Sequence, residues 1–400
     1  MSQTKDQAIA GIVEGAAGLN IDEMAMWHCY HQHREDKPAQ DACKPVALAA
    51  TRALIADLPA LAEELVAPAF QTVKTQDSAQ IGQSRFGGMP DLPADFVWPF
   101  SGGFTVADAT IDYAPDPSDS PVPMDSPLPL TFIAQIDLSA LLPASADLPT
   151  EGRLLIFMDY AVWFEGEGRA ATRIIWDKTP VEMLRRHDQP EVLMWLDSLA
   201  QDKWRGFKTK LNAFEKLTGW LGGETENEDE SEPFNSGFLP PETPVEMTWA
   251  WQRLASQNLE FARSGYSNRQ QATNAVDIYR DISLEWPGEG EDDVPPYHQL
   301  LGVAFPEQDD PRYDAYYQKV LGRPVVSGQD FEEVRAMIGL EGAALDANDA
   351  EQALKFRLLL QLNVESFLNM NAEGHFYFFL HEDDLAARNF DAVIVIYQQT

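Results

Sequence analysis

Two groups of residues in this 400-residue chain combine side-chain type and spacing in a way that suits chemistry. The first is WHCYHQH, where His28, Cys29, His31 and His33 crowd one short segment and Cys43 follows. Imidazoles and thiolates are donors that zinc prefers, so the cluster raises a metal site. Against it, Cys29 and Cys43 form no Cys-x-x-Cys knuckle, and His28 and His31 share one helix face at i, i+3. An amphipathic helix with surface histidines is the expectation, and no metal or cofactor. Two cysteines are too few for a disulfide framework in a chain of this length, so both read as free thiols of a reducing compartment.

The second group is polar residues set into apolar runs: Arg85 in SRFGGMPDLPADFVWPF, Gln135 and Asp137 in LTFIAQIDL, His298 and Gln308 in HQLLGVAFPEQDD, and Gln361 and Asn363 in LLLQLNV. A histidine among amides and a carboxylate is a set that can orient a ligand or move a proton. These seven are the candidate ligand-binding residues; no catalytic residue is identified. The plainer reading stays open. Amides cap backbone groups at strand ends, a lone His before a Leu-Leu-Gly turn is a structural hydrogen bonder, and Arg85 snorkels or pairs with an acid. No Gly-x-Ser-x-Gly elbow, Walker loop or His-Glu-x-x-His is present, and the glycine pairs do not follow a dinucleotide fingerprint.

The elements that must position these residues follow from periodicity. Residues 45–66, PVALAATRALIADLPALAEELV, place apolar side chains three and four apart, which predicts two short helices interrupted near Pro59. From Arg85 to Trp176 the texture turns β-rich, with residues 107–129 reading as an extended, proline-rich surface loop. Residues 191–220 have helical spacing that stops at Gly222 and Gly223, and ETENEDESE (224–232) reads as a mobile acidic loop. EMTWAWQRL returns to strand, residues 329–355 to helix, and FRLLLQLNV, GHFYFFL and AVIVIYQQ to strands.

TFIAQIDLSALLPASADLPTEGRLLIFM lies over RLLLQLNVESFLNMNAEGHFYFFL once PASA is treated as an insertion. Gln135 then meets Gln361, Asp137 meets Asn363, Leu142 meets Leu368, Glu151-Gly152 meets Glu373-Gly374 and Phe157 meets Phe379. Strand alternation puts Phe132, Ala134, Ile136 and Leu138 on one face and Gln135 and Asp137 on the other. Likewise Leu358, Leu360, Leu362 and Val364 oppose Gln361 and Asn363. The polar sides either face one another across a pseudo-symmetric cleft or cap backbone groups. The expected fold class is α+β: a duplicated β-rich core of two pseudo-repeats with a helical N-terminal segment and a helical insertion. Its parts run 1–80 (helical), 81–180 (first repeat), 181–295 (insertion with the acidic loop) and 296–400 (second repeat).

SRFGGMPDLPADFVWP, LTFIAQIDL and LPTEGRLLIFMD together resemble the YwqG-like family of bacterial proteins of unknown function, with its Gly-Gly-x-Pro, Trp-Pro and Gln-x-Asp elements. HQLLGVAFPEQDD, LLLQLN and EGHFYFFLHEDDLAARNFDAV resemble its C-terminal blocks. The matches cover about residues 84–160 and 297–398. The resemblance implies an α+β fold with a duplicated β-rich core and no assigned reaction. The long helical N-terminus and the acidic insertion near 221–243 depart from the compact family form.

Charge narrows the partners. With 64 acidic against 29 basic residues the formal charge is −35, which repels phosphate backbones and anionic lipid. No nucleic acid and no membrane is expected; no window holds roughly 18 uninterrupted apolar residues. The N-terminus lacks the order of a secretory signal, so a cytoplasmic location follows. The leading reading is a non-enzymatic binding or interaction protein, an immunity or regulatory partner of a basic protein. The alternative is a small-molecule-binding enzyme or hydrolase using His298 and a Gln/Asp-lined cleft. Oligomeric state leaves no mark in the sequence.

Overall fold

The structure is a computed structural model. It describes every residue except 1–3, 76–78, 144, 146, 160–171, 220–235, 266–278, 280–297, 326–327, 365–373 and 400. The acidic loop 224–232, with Gly222 and Gly223, lies outside the described residues, as do Leu368 and Glu373 of the expected second repeat.

Three helices open the chain: α1 (Lys5–Gly18), α2 (Ile21–Gln32) and α3 (Lys37–Leu61). Each begins where a short polar side chain, Thr4, Asn20 or Asp36, accepts an otherwise orphaned N–H of the first turn. α3 runs through both Pro45 and Pro59, which corrects the expected break near Pro59. Pro59 falls in the exposed part of the last turn, while Leu54 and Leu58 are buried against Ala8, Ile12 and Leu65. That packed face holds the turn against the missing N–H. With the turn that follows it, this is the one stretch among the described residues, Lys37–Leu65, long and apolar enough to cross a membrane.

Cys29 of α2 and Cys43 of α3 are joined in a disulfide, their Cα atoms 5.7 Å apart. The free-thiol expectation is overturned, and with it the cysteine argument for a reducing compartment. The turn between the helices folds residue 43 back alongside residue 29, which spacing alone does not show. Oxidised, neither sulfur is a thiolate ligand. Reduction, or a Cys29→Ser and Cys43→Ser variant, is expected to weaken the hairpin by about 3 kcal/mol, the loop-entropy value for a bridge spanning roughly 15 residues. Denaturant titrations of oxidised and reduced protein followed by circular dichroism check this; coincident curves count against it.

The strands are β1 (Val66–Lys74), β2 (Arg85–Phe86), β3 (Asp91–Leu92), β4 (Phe100–Thr105), β5 (Pro127–Pro129), β6 (Thr131–Asp137) and β7 (Arg153–Met158). They continue as β8 (Thr172–Asp177), β9 (Arg185–Arg186), β10 (Thr243–Arg253), β11 (Gln299–Leu300), β12 (Phe356–Asn363), β13 (His375–His381) and β14 (Ile394–Gln398). Ten of them form one antiparallel sheet in the order β14-β13-β12-β11-β1-β10-β2-β6-β7-β8. β1, in the stretch read as helical, pairs with β10 from Val66↔Arg253 to Lys74↔Val245 and forms the centre of the sheet. One arm leads away from each: β11, β12, β13 and β14 from β1, and β2, β6, β7 and β8 from β10. The edges then approach, because the turn Phe390–Ala392 packs beside β8. The nearly closed sheet encloses Phe70, Phe86, Ile156, Leu360, Phe376 and Phe378.

The expected facing of residues fails at one position in each arm. Register shifts fall between Phe132 and Ala134 and between Leu358 and Leu360. A bulge inserts one residue and reverses the side chains before it. Ile133 and Leu359 therefore join the interior, whereas Phe132 packs outside with Leu92 and Phe157, and Leu358 with Phe356 and Tyr377. The expected loop 107–129 is also partly packed: it carries β5 after the short helix Val106–Ala109, and Leu128 is buried with Leu193 and Leu196 of the helix Glu191–Gly219.

Candidate functional site

Arg85 and Gln135 face each other across β2 and β6, and both are fully buried. β2 stops after two residues because Gly87 and Gly88, at φ +57° and +69°, turn the chain. A Cβ on Gly87 would stand 2.3 Å from the Pro241 carbonyl oxygen, so only glycine fits. The turn brings Asp91 back to the arginine. Arg85 Nη2 lies 2.5 Å from Asp91 Oδ2, so the side chain pairs with an acid and does not snorkel. Asp91 also accepts from the Gly82 N–H at 2.8 Å, Gln135 Nε2 at 3.1 Å and Arg186 Nε at 3.1 Å. Burial pushes its carboxyl up, but the Gly82 N–H and Arg85 outweigh that and hold it below the usual range. Arg186 continues to Glu242 at 3.2 Å and to the Ala79 carbonyl at 3.0 Å. Burial pulls the Arg85 guanidinium down from its ordinary value, and its Nε and Nη1 meet no hydrogen-bond acceptor.

The other arm has the same framework without the charges. Gln299 of β11 faces Gln361 of β12 as Arg85 faces Gln135. The Asp91 N–H donates to Gln135 Oε1 at 3.1 Å, and the Phe305 N–H to Gln361 Oε1 at 2.9 Å. Gln299 Nε2 is satisfied by the Val303 carbonyl at 2.7 Å. Ser84 Oγ accepts the Asp137 N–H at 2.9 Å, and His298 Nδ1 accepts the Asn363 N–H at 3.2 Å.

His298 is buried with its ring 5.0 Å from that of Phe86. Burial above all, then the charges of Lys74 and His375, pushes its pKa down to about 3. It is therefore neutral, with Nδ1 accepting and the proton on Nε2. Sequence reading passed over His375, whose Nδ1 lies 2.5 Å from Glu307 Oε1 and whose Nε2 lies 3.5 Å from Asn363 Nδ2. Its position directly after the second Glu-Gly was the available signal. Since the folded pKa of His298 lies below the unfolded one, its contribution to stability is complete above about pH 6.5 and is lost as pH falls toward 3. His298→Gln keeps an acceptor there, so the loss of stability between about pH 7 and about pH 4.5 is expected to be smaller than in the wild type. Urea midpoints at both pH values measure it, and equal losses would defeat the assignment.

Gln308 lies apart, its N–H on Gln398 Oε1 at 3.4 Å and its Nε2 on the Gln399 carbonyl at 2.6 Å. Asp137 ends β6, and its Oδ1 accepts from the Ser139 N–H at 3.0 Å and hydroxyl at 2.7 Å. The seven candidates thus occupy separate networks: Arg85 with Gln135, His298 with Asn363, and Gln361, Gln308 and Asp137 each with other partners. The two arms lie on opposite sides of the β1–β10 pair, which keeps their glutamines apart. Asp137 does line a pocket of about 420 Å³, together with Gln80, Gln83, Ser84, Glu246 and an apolar wall of Val245 and Met247. Among the described residues Asp137 and Glu246 are its charged lining residues, and both are acids.

A family model described as a domain of unknown function (DUF1963) matches residues 84–398. The chain belongs to that family. The DUF1963 match takes in both arms and β10 but begins after β1, so one of the two central strands comes from outside the matched region. No curated protein matches the chain.

Proposed function

We propose that this protein acts by binding, and that its ligand presents a cationic group to the pocket of Asp137 and Glu246. Among the described residues the lining carries the reading: two carboxylates, two amides and two hydroxyls, with no lysine or arginine, in a chain of charge −35. A concave site of one sign focuses the field on a counter-charge. Val245 and Met247 suit the alkyl stem below an ammonium or guanidinium. A basic protein is the partner this favours, steered by the long-range field. The hydrolase alternative would use His298, whose accepting nitrogen is already taken by the Asn363 N–H.

The matched bulges and the matched Gln–Asp91 and Gln–Phe305 bonds support reading the arms as a duplication, within a family we take to be YwqG-like and bacterial. The binding reading is tested with a short lysine-rich peptide on a biosensor. Asp137→Asn with Glu246→Gln is expected to weaken binding by about tenfold, mostly in the on-rate at low salt. Unchanged kinetics would sink the reading.

A further inference from the structure

The guanidinium of Arg85 is buried with two donors unfilled, while the corresponding Gln299 of the other arm fills its donor locally. A buried polar group without a partner is costly, so one left open in one arm marks a place where an acceptor belongs. Charge in the cluster is balanced, Arg85 and Arg186 against Asp91 and Glu242, so the acceptor is not needed for neutrality.

Arg85 does not itself line the acidic pocket, but strand register sets it one step along the sheet from two residues that do. Arg85 faces Gln135 on β6 and Pro244 on β10. Asp137 and Glu246, two residues further along those strands, are each a diagonal neighbour of Arg85 on its face of the sheet, at roughly 7–8 Å by sheet geometry. Gln83 belongs to both places: it lines the pocket, and its carbonyl accepts from Gln135 Nε2 at 2.9 Å. We infer that the ligand is a basic amino-acid unit with a free α-carboxylate, its cationic side chain between Asp137 and Glu246 and its carboxylate on Arg85 once Gln83 moves aside. This rests on the cation-binding reading above and adds the second contact. Such a ligand carries a net positive charge, which suits the acidic chain, and a volume of about 420 Å³ holds one residue of this size.

Titration calorimetry with four probes decides it: L-arginine, agmatine, which lacks the carboxylate, and the peptide Gly-Gly-Arg with a free or an amidated C-terminus. L-arginine or the free-acid peptide is expected to bind about tenfold more tightly than its carboxylate-free counterpart, a difference of roughly 1.4 kcal/mol. Preference for the amino acid identifies a free metabolite, and preference for the peptide a protein C-terminus. In Arg85→Gln, which copies Gln299, the difference should vanish while agmatine binding stays. The wild-type comparison needs no variant, so a folding defect in Arg85→Gln does not blunt the test. Equal binding of L-arginine and agmatine, and of the two peptides, overturns the carboxylate contact and leaves the cation pocket standing. Failure of all four probes overturns both.

Discussion

Asp91→Ala is expected to destabilise the protein by about 3–5 kcal/mol, among the largest effects of any single substitution in the chain. The cause is not the loss of an attractive pair as such. Asp91 has no exposed surface and takes donors from Arg85, Gly82, Gln135 and Arg186. Removing it leaves a buried guanidinium without its counter-charge and strips a partner from each of the others. Burying two charges is itself expensive, so replacing both is milder than removing one. The other arm supplies the neutral solution, with Gln299 at the place of Arg85 and Phe305 at that of Asp91. Arg85→Gln with Asp91→Phe should therefore lose less than Asp91→Ala alone. Chemical denaturation of the three proteins measures this. A single variant within about 1 kcal/mol of wild type would mean that water reaches the cluster freely.

Gly374→Ala is the second large effect, expected to exceed about 2 kcal/mol. Gly374 sits at φ +108°, where side chains are strained, and an added Cβ would stand 2.1 Å from the Gln398 carbonyl oxygen of β14. Gly152 meets the same demand in the other arm, at φ +78° and 2.5 Å from the Asp177 carbonyl. Both glycines also accept the N–H that follows the preceding strand, Leu138 to Gly152 at 3.0 Å and Val364 to Gly374 at 2.9 Å. Gly322 is the control, with φ +68° but nothing within 4 Å of an added Cβ. Its alanine variant isolates the dihedral cost, about 1 kcal/mol at the low end of such strain. Thermal melts of Gly152→Ala, Gly374→Ala and Gly322→Ala should rank the first two well below the third, and equal melting points would remove the clash argument.

Much of the framework around these residues is local in origin and was legible in the sequence. Helix shows in the three-and-four spacing of apolar residues within 45–66 and 191–220, where Lys37–Leu61 and Glu191–Gly219 are helical. The strands at 131–137, 153–158, 356–363 and 375–381 show as β-branched and aromatic runs, and their Gln and Asn residues stand out within them. The Glu-Gly steps were visible as motifs, and their reason is the close approach of the neighbouring strand. Chain chemistry alone also set the acidic field.

Tertiary structure decided what depends on partners distant in sequence. Ile133 and Leu359 look like their neighbours in hydropathy, so a bulge that adds one residue leaves no trace until the facing strand fixes the register. β1 is a short run whose place between β10 and β11 comes from pairing, not from its own pattern. Cys29 finds Cys43 only because α2 and α3 fold back on one another. Arg85 finds Asp91 because Gly87 and Gly88 reverse the chain, and that contact makes a residue whose sequence allowed either snorkelling or pairing with an acid into a fully buried ion pair with open donors. Backbone geometry within a segment sets its periodicity, whereas burial and charge at a site are sums over segments that only the closed sheet brings together.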